Sequence, residues 1–186
     1  MESRMALKST VVKAELQVSD LDRHYYATHV LTMAQHPSET DERLMVRLLA
    51  FAMFADERLE FGRGLSSDDE PDLWRRSLSG EIEQWIELGQ PDESRLRKAC
   101  GRARDVILIG YGGRAFSIWL EKQAVALARC SNLRIFELPA DAAQQLTTLL
   151  GRTMRLQCLV EDGELQLMNE GGSVTVLPVL RQATSK

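Results

Sequence analysis

The stretch PDLWRRSLSGEIEQWIELGQP, residues 71–91, constrains the fold more than any other part of the chain. It reads as a hairpin, Asp72 to Leu78 and Glu81 to Leu88, around Ser79-Gly80, and a two-residue turn there fixes every cross-strand partner. Leu78 then faces Glu81, Arg76 faces Glu83, Trp74 faces Trp85 and Asp72 faces Glu87. On the other face Ser77 meets Ile82, Arg75 meets Gln84 and Leu73 meets Ile86. Opposed Arg–Glu and Trp–Trp pairs each contribute about 0.2–1 kcal/mol, so this register is favoured over a slipped one.

Asp72 opposite Glu87 is the exception. Two carboxylates about 5 Å apart at an effective dielectric near 20 repel by roughly 3 kcal/mol. A shared proton, a neighbouring arginine or a bound divalent cation would each relieve that repulsion, and a hard cation takes oxygen ligands of this kind.

The rest of the chain reads as a mixed α/β (α+β) protein. Residues 6–18 and 24–35 form an N-terminal hairpin rich in β-branched and aromatic residues. Ser38 is the expected N-cap of a helix to about Ala55, with Glu39, Asp41 and Glu42 in its first turn and a broad apolar face. A short strand at 58–63 precedes the acidic loop 65–71. Beyond the hairpin come a helix at 92–102, a doubly buried strand at 105–110 (DVILIG), a helix at 114–129, a strand at 133–138 and a helix at 140–150. Strands at 153–161 and 164–169, turning at Asp162-Gly163, pair Val160 with Leu165 and Cys158 with Leu167, and a last strand spans 173–180. These strands are expected to form a half-buried antiparallel sheet joined by the N-terminal hairpin.

At 186 residues, with 44% hydrophobic and 27% charged residues, the chain fits a single domain with one core. A net charge of −4 excludes binding of nucleic acid by bulk charge alone. Cys100, Cys130 and Cys158 lack CxxC spacing, and Leu48 to Ala55 is the longest apolar run. These features lead to the expectation of a cytoplasmic protein, monomeric by default and without membrane attachment. His29 sits on the opposite strand face from His24 and His36, so the histidines make no zinc set. Gly110-Tyr111-Gly112-Gly113 matches neither GxGxxG nor GxxxxGK[ST] and reads as a tight turn. Ser117 has no GxSxG setting, and Trp74, Trp85 and Trp119 read as core or rim packing.

The strings HPSETDERLMVRLLAFA, ADERLEFGRGLSSDDEPDLW and WIELGQPDESRLRKACGRA resemble the YaeQ family of bacterial proteins, and the resemblance covers almost the whole chain. It implies a variant of the PD-(D/E)XK nuclease-like core: helix, three-strand meander, helix, strand. The core would span about 38–138, flanked by the β-rich segments 6–36 and 153–180. The order of elements read from the residues is the same.

The resemblance further implies that Pro71-Asp72 and Glu87 hold Mg2+ or Mn2+. The superfamily's lysine, two residues after the Glu, is here Gly89. Its neighbour Gln90 can ligate or position a water but supplies no charge. Lys98 on the following helix is a stand-in for that lysine, and Glu42 a candidate third acid. Arg95, Arg97, Lys98 and Arg102 are candidate phosphate contacts, although such a run is ordinarily a solvated face. The implied activity is that of a metal-dependent phosphodiesterase acting on nucleic acid. The alternative, motivated by Gly89, is an inactive nuclease-fold protein that binds nucleic acid or a protein partner in a regulatory role.

Overall fold

The structure, a computed structural model, describes residues 8–185. Residues 6 and 7 of the expected first strand lie outside the described residues.

The chain opens with β1 (Thr10–Asp20) and β2 (Tyr25–Gln35), an antiparallel pair in which Val12, Ala14, Leu16 and Val18 point inward at every second position. Helix α1 (Asp41–Met53) follows. Its N-cap is Thr40, not Ser38: Thr40 Oγ1 accepts from Arg43 N at 3.1 Å, while Ser38 is drawn into a turn with the His36 ring. Every residue from Leu44 to Ala52 is buried, as expected of a helix packed on all sides.

Next come β3 (Leu59–Phe61), a 3-10 turn at Gly64–Ser66, β4 (Leu73–Arg76), β5 (Ile82–Leu88), α2 (Glu93–Arg102) and β6 (Ala103–Gly110). This is the expected order of helix, three-strand meander, helix and strand. The chain continues through α3 (Arg114–Leu127), β7 (Leu133–Glu137), α4 (Ala142–Leu146), β8 (Thr153–Glu161), β9 (Glu164–Asn169), β10 (Gly172–Val176) and β11 (Val179–Gln182).

Two sheets result, ordered β10-β9-β8-β1-β2 and β11-β7-β6-β5-β4-β3. Side chains of α1 and α4 join both sheets in one apolar cluster, from Leu16 and Leu156 through Leu48 and Leu146 to Ile86 and Ile107. Trp85, Val106, Leu108 and Ile135, on the other face of the second sheet, pack with Leu96 of α2 and Phe116 of α3.

Four further expectations are corrected. The first sheet is mixed, because β1 joins β8 in parallel. The helix expected at 140–150 is a short α4 followed by a 3-10 turn at Thr147–Leu149. The strand expected at 173–180 is two strands: Leu177-Pro178 carries the chain from β10 in one sheet to β11 in the other, and proline cannot donate to a continuing ladder.

The turn of the central hairpin is also one residue longer than expected. Ser77 N donates to Glu81 O and Gly80 N to Ser77 O, with Gly80 at φ 88, so the loop is Leu78-Ser79-Gly80. Leu78 is fully exposed rather than paired with Glu81, and Arg76 meets Ile82 rather than Glu83. A bulge at Glu83 absorbs the extra residue. From Arg75↔Gln84 onward, through Trp74↔Trp85 and Leu73↔Ile86, the expected register is restored.

Candidate functional site

That register delivers Asp72 and Glu87 to the same end of β4 and β5. Asp72 sits immediately before β4, between Pro71 and Leu73, and its side chain is fully shielded from solvent. Oδ1 accepts from Arg43 Nη2 at 2.6 Å, and Oδ2 accepts from Leu88 N at 3.1 Å, a side-chain bond that prolongs the hairpin past its last ladder pair. Glu87 is buried on β5, with Oε1 accepting from both Trp85 Nε1 and Arg95 Nε at 2.8 Å. Its Oε2 carries no hydrogen bond among the described residues.

Arginine therefore answers the repulsion raised by the sequence, one guanidinium to each carboxylate, but incompletely. Burial and, after it, the negative charge of Asp72 push the Glu87 carboxyl up to about 7, against the opposing pull of Arg95 and the Trp85 hydrogen bond. Burial opposes the charge on Arg43, yet Asp72, by charge and hydrogen bond, and then Glu39 raise its proton affinity above the usual value.

Glu87 lines a cleft of 390 Å3 bounded by Gly64, Leu65, the segment from Glu87 to Asp92, Arg43, Arg95 and Tyr111; Asp72 does not line it but is tied to its wall through Arg43. Gln90 is exposed on its rim. Gly89 has φ 79, a left-handed conformation that turns the chain out of the sheet and that a lysine would adopt only under strain.

The basic helix α2 divides its charges. Arg95 alone reaches the cleft, where besides Glu87 it donates to Ser67 O and Glu70 O at 3.0 and 2.7 Å. Lys98 does not line the cleft; it pairs with Asp69 at 2.9 Å. Arg97 pairs with Glu93 along the helix, and Arg102 donates to Asp69 O while lying over the Trp85 ring. The acidic loop 65–71 and the basic helix thus largely neutralise each other. Glu42 is exposed. The buried acid at this end of α1 is Glu39, held by Arg43 at 3.1 Å and Arg47 at 2.7 Å.

Arg43, Glu39, Arg47 and Tyr111 are the site residues that sequence reasoning missed. For three of them the signal was a spacing of charges, Arg43 and Arg47 one turn apart on α1 and Glu39 four residues before Arg43, just ahead of the N-cap; Tyr111 had none.

Among the described residues no group of three or more His, Cys, Asp and Glu side chains gathers as a metal site. The oxygen-bearing side chains of Glu87 and Gln90 both line the cleft, whereas both Asp72 oxygens are taken up by Arg43 and Leu88 N.

Fold and site together define a two-sheet α/β protein with an acid–arginine cleft at the strand ends of its meander. The chain belongs to the YaeQ family: a protein-family model, YaeQ protein, matches residues 5–178. It is 45% identical over 172 residues to the uncharacterized protein YaeQ of Salmonella typhi and 44% identical to that of Escherichia coli K12, covering 92% of this chain and 95% of each relative. The crystal structure of the YaeQ protein from Xanthomonas axonopodis pv. citri superposes with a TM-score of 0.91 at 61% identity, over 94% of this chain and 99% of that one. That of the Pseudomonas syringae YaeQ protein gives 0.89 at 37% identity, over 94% and 97%.

Proposed function

We propose that the cleft is where a divalent cation and a nucleic-acid phosphodiester meet, the chain being a metal-dependent phosphodiesterase on a variant PD-(D/E)XK core. The order α1, β3-β4-β5, α2, β6 supports this reading of the core. The observation that carries the function is the meeting of two buried carboxylates, Asp72 and Glu87, at one end of β4 and β5, each answered by a single arginine. Burial first, and the charge of Asp72 second, hold the Glu87 carboxyl up to about 7, and a bound cation would offset both.

A bound Mg2+ or Mn2+ would polarise a phosphodiester and lower the pKa of a coordinated water. The chain's own residues do the remainder. Arg43 and Arg95, now held by carboxylates, are placed to hold phosphate oxygens, and guanidinium suits that exchange. Gln90 positions a water at the rim, and loss of the Glu87 proton near neutral pH readies its second oxygen as a ligand.

Incubation with labelled single- and double-stranded DNA and RNA, with Mg2+ or Mn2+, tests the proposal. Cleavage is expected, and Asp72→Asn and Glu87→Gln should abolish it; cleavage that survives both unchanged refutes the assignment.

Gly89 in place of the lysine, together with the Arg43–Asp72 pair, favours a second reading in which the groove binds nucleic acid or a protein partner without turnover. Calorimetric titration with Mn2+ separates the two. Uptake abolished by Asp72→Asn supports the enzyme, whereas no uptake combined with salt-dependent oligonucleotide binding supports the binding protein.

A further inference from the structure

Behind the turn Gly64–Ser66 lies a second cavity of 290 Å3, between β2, α1 and residues 61–66. It shares Arg43, Gly64 and Leu65 with the cleft, so the 3-10 turn forms a partition between the two. At about 30 Å3 per water molecule the cavity is far larger than a bridging water requires.

Its inner wall holds Arg47, whose side chain is 93% buried by its 7% exposure. Arg47 Nη2 is used, donating to Ala34 O at 2.9 Å and Glu39 Oε1 at 2.7 Å. Arg47 Nε is sealed from solvent without a partner, the guanidinium lying over the Phe61 ring, and Nη1 makes no hydrogen bond among the described residues. Nη1 is therefore the donor this buried guanidinium keeps for a ligand in the cavity.

The surroundings indicate what that is. Arg43, Arg47 and Arg63 face Glu39 and Asp72 around the cavity, three positive charges against two negative, with His36, Thr32 and Ser66 as further polar groups. Arg63 stands at the mouth, 74% exposed, in only a loose pair with Glu70 at 3.8 Å. The cleft shows no such excess, Arg43 and Arg95 standing against Asp68, Asp92 and Glu87. Of the two chambers it is the second that suits an anion.

We propose that the second cavity is a phosphate subsite, in which Arg47 and Arg63 hold a phosphate of the nucleic-acid strand next to the phosphate in the cleft. The identity of the strand rests on the function proposed above; the anion site itself does not. Arg43, common to both chambers, touches both phosphates and fixes their spacing. Arg47 and Arg63 are positioning residues for the strand.

The probe is inorganic phosphate, titrated with a chelator present and followed by the arginine Nε–Hε resonances in 15N–1H spectra. A saturable shift of the Arg47 resonance is expected, and a short single-stranded oligonucleotide should compete for it. Arg63→Gln, at an exposed position that does not threaten folding, should weaken phosphate binding roughly tenfold, the effect of losing one charge-assisted hydrogen bond. Arg47→Lys keeps the charge beside Glu39 but removes the fork, and should weaken binding at least as much. Lys98→Ala, which removes an exposed charge lining neither chamber, should leave the Arg47 shift and phosphate binding intact.

Absence of an Arg47 shift at tens of millimolar phosphate overturns the subsite, as does binding that Arg63→Gln and Arg47→Lys leave unchanged. Phosphate binding without competition by the oligonucleotide overturns the assigned ligand. An Arg47 shift with competition but no metal-dependent cleavage upholds the subsite and fails the phosphodiesterase reading alone.

Discussion

Arg43 Nη2 lies 2.6 Å from Asp72 Oδ1, tying the helix buried between the two sheets to the first residue of the central hairpin. Asp72 is wholly shielded, so removing its partner leaves a buried charge that water cannot reach. Arg43→Met should lower stability by about 3–5 kcal/mol, as expected for breaking a buried pair from one side. Adding Asp72→Asn should recover much of the loss, because an amide costs less than a carboxylate to bury unpaired. Urea unfolding of the two variants measures this; a single-variant loss under about 1 kcal/mol would mean that the Leu88 N–H alone suffices for Asp72.

Glu87 gives stability a pH dependence of defined sign. The folded carboxyl keeps its proton up to about 7, the unfolded one to about 4.5, so between these values the folded state binds more protons. This contribution is fully present below about pH 4.5 and is lost as pH rises through 7, with an upper bound on the order of 3 kcal/mol. Glu87→Gln, which keeps an acceptor for Trp85 and Arg95, should be the more stable protein at pH 8 and should show little of this slope. Denaturation curves at pH 5 and pH 8 decide the matter, and a wild-type slope of the opposite sign would contradict a raised carboxyl.

What could be read in the sequence, and what could not, divides along a physical line. Alternation within strands and apolar runs in helices are local, so the order from α1 to β6 and the Trp74–Trp85 register were legible. Pairing across long separations was legible only in part: the C-terminal strands do share a sheet with the N-terminal hairpin, but the parallel sense of β1–β8 and the passage of β11 into the other sheet depend on how whole layers stack. At the site, the acids stood out as opposed like charges. Their counter-charges did not, because Arg43 comes from a distant helix, and Arg95 was one of several basic residues with nothing local to distinguish it from Lys98. The Glu83 bulge shows a further limit, since a wrong turn length was cancelled before it reached the carboxylates.

Arg95 has three acceptors, Glu87 Oε1, Ser67 O and Glu70 O, and so clamps the acidic loop onto α2. Arg95→Ala should cost about 2–3 kcal/mol, since it removes charge-assisted bonds and leaves Glu87 without its cation. It should also raise amide exchange across residues 64–71 specifically. Lys98→Ala breaks only an exposed pair with Asp69 and should leave stability unchanged within error. Hydrogen-exchange mass spectrometry of both variants reads the contrast; equal loosening by the two would place the clamp in the overall charge of the helix rather than in Arg95.

Gly64 provides a test of the geometry that links both chambers. It has φ 49, and a Cβ built there falls well inside van der Waals contact of Asp72 Oδ1, the atom that receives Arg43. Gly64→Ala therefore adds backbone strain to a steric push on a carboxylate held by Arg43 and Leu88 N, and about 1–3 kcal/mol of stability should be lost. The displacement has a second readout that strain alone would not give. Asp72's charge is part of what holds the Glu87 proton, so driving the Asp72 carboxylate away should lower the Glu87 carboxyl from about 7 toward its ordinary 4.5. Carbon-13 NMR titration of the Glu87 carboxyl in Gly64→Ala measures this directly. A destabilised variant with an unmoved Glu87 titration would show that the turn yields rather than the acid, and that Asp72 is held more firmly by Arg43 and Leu88 than the turn is by its own hydrogen bonds.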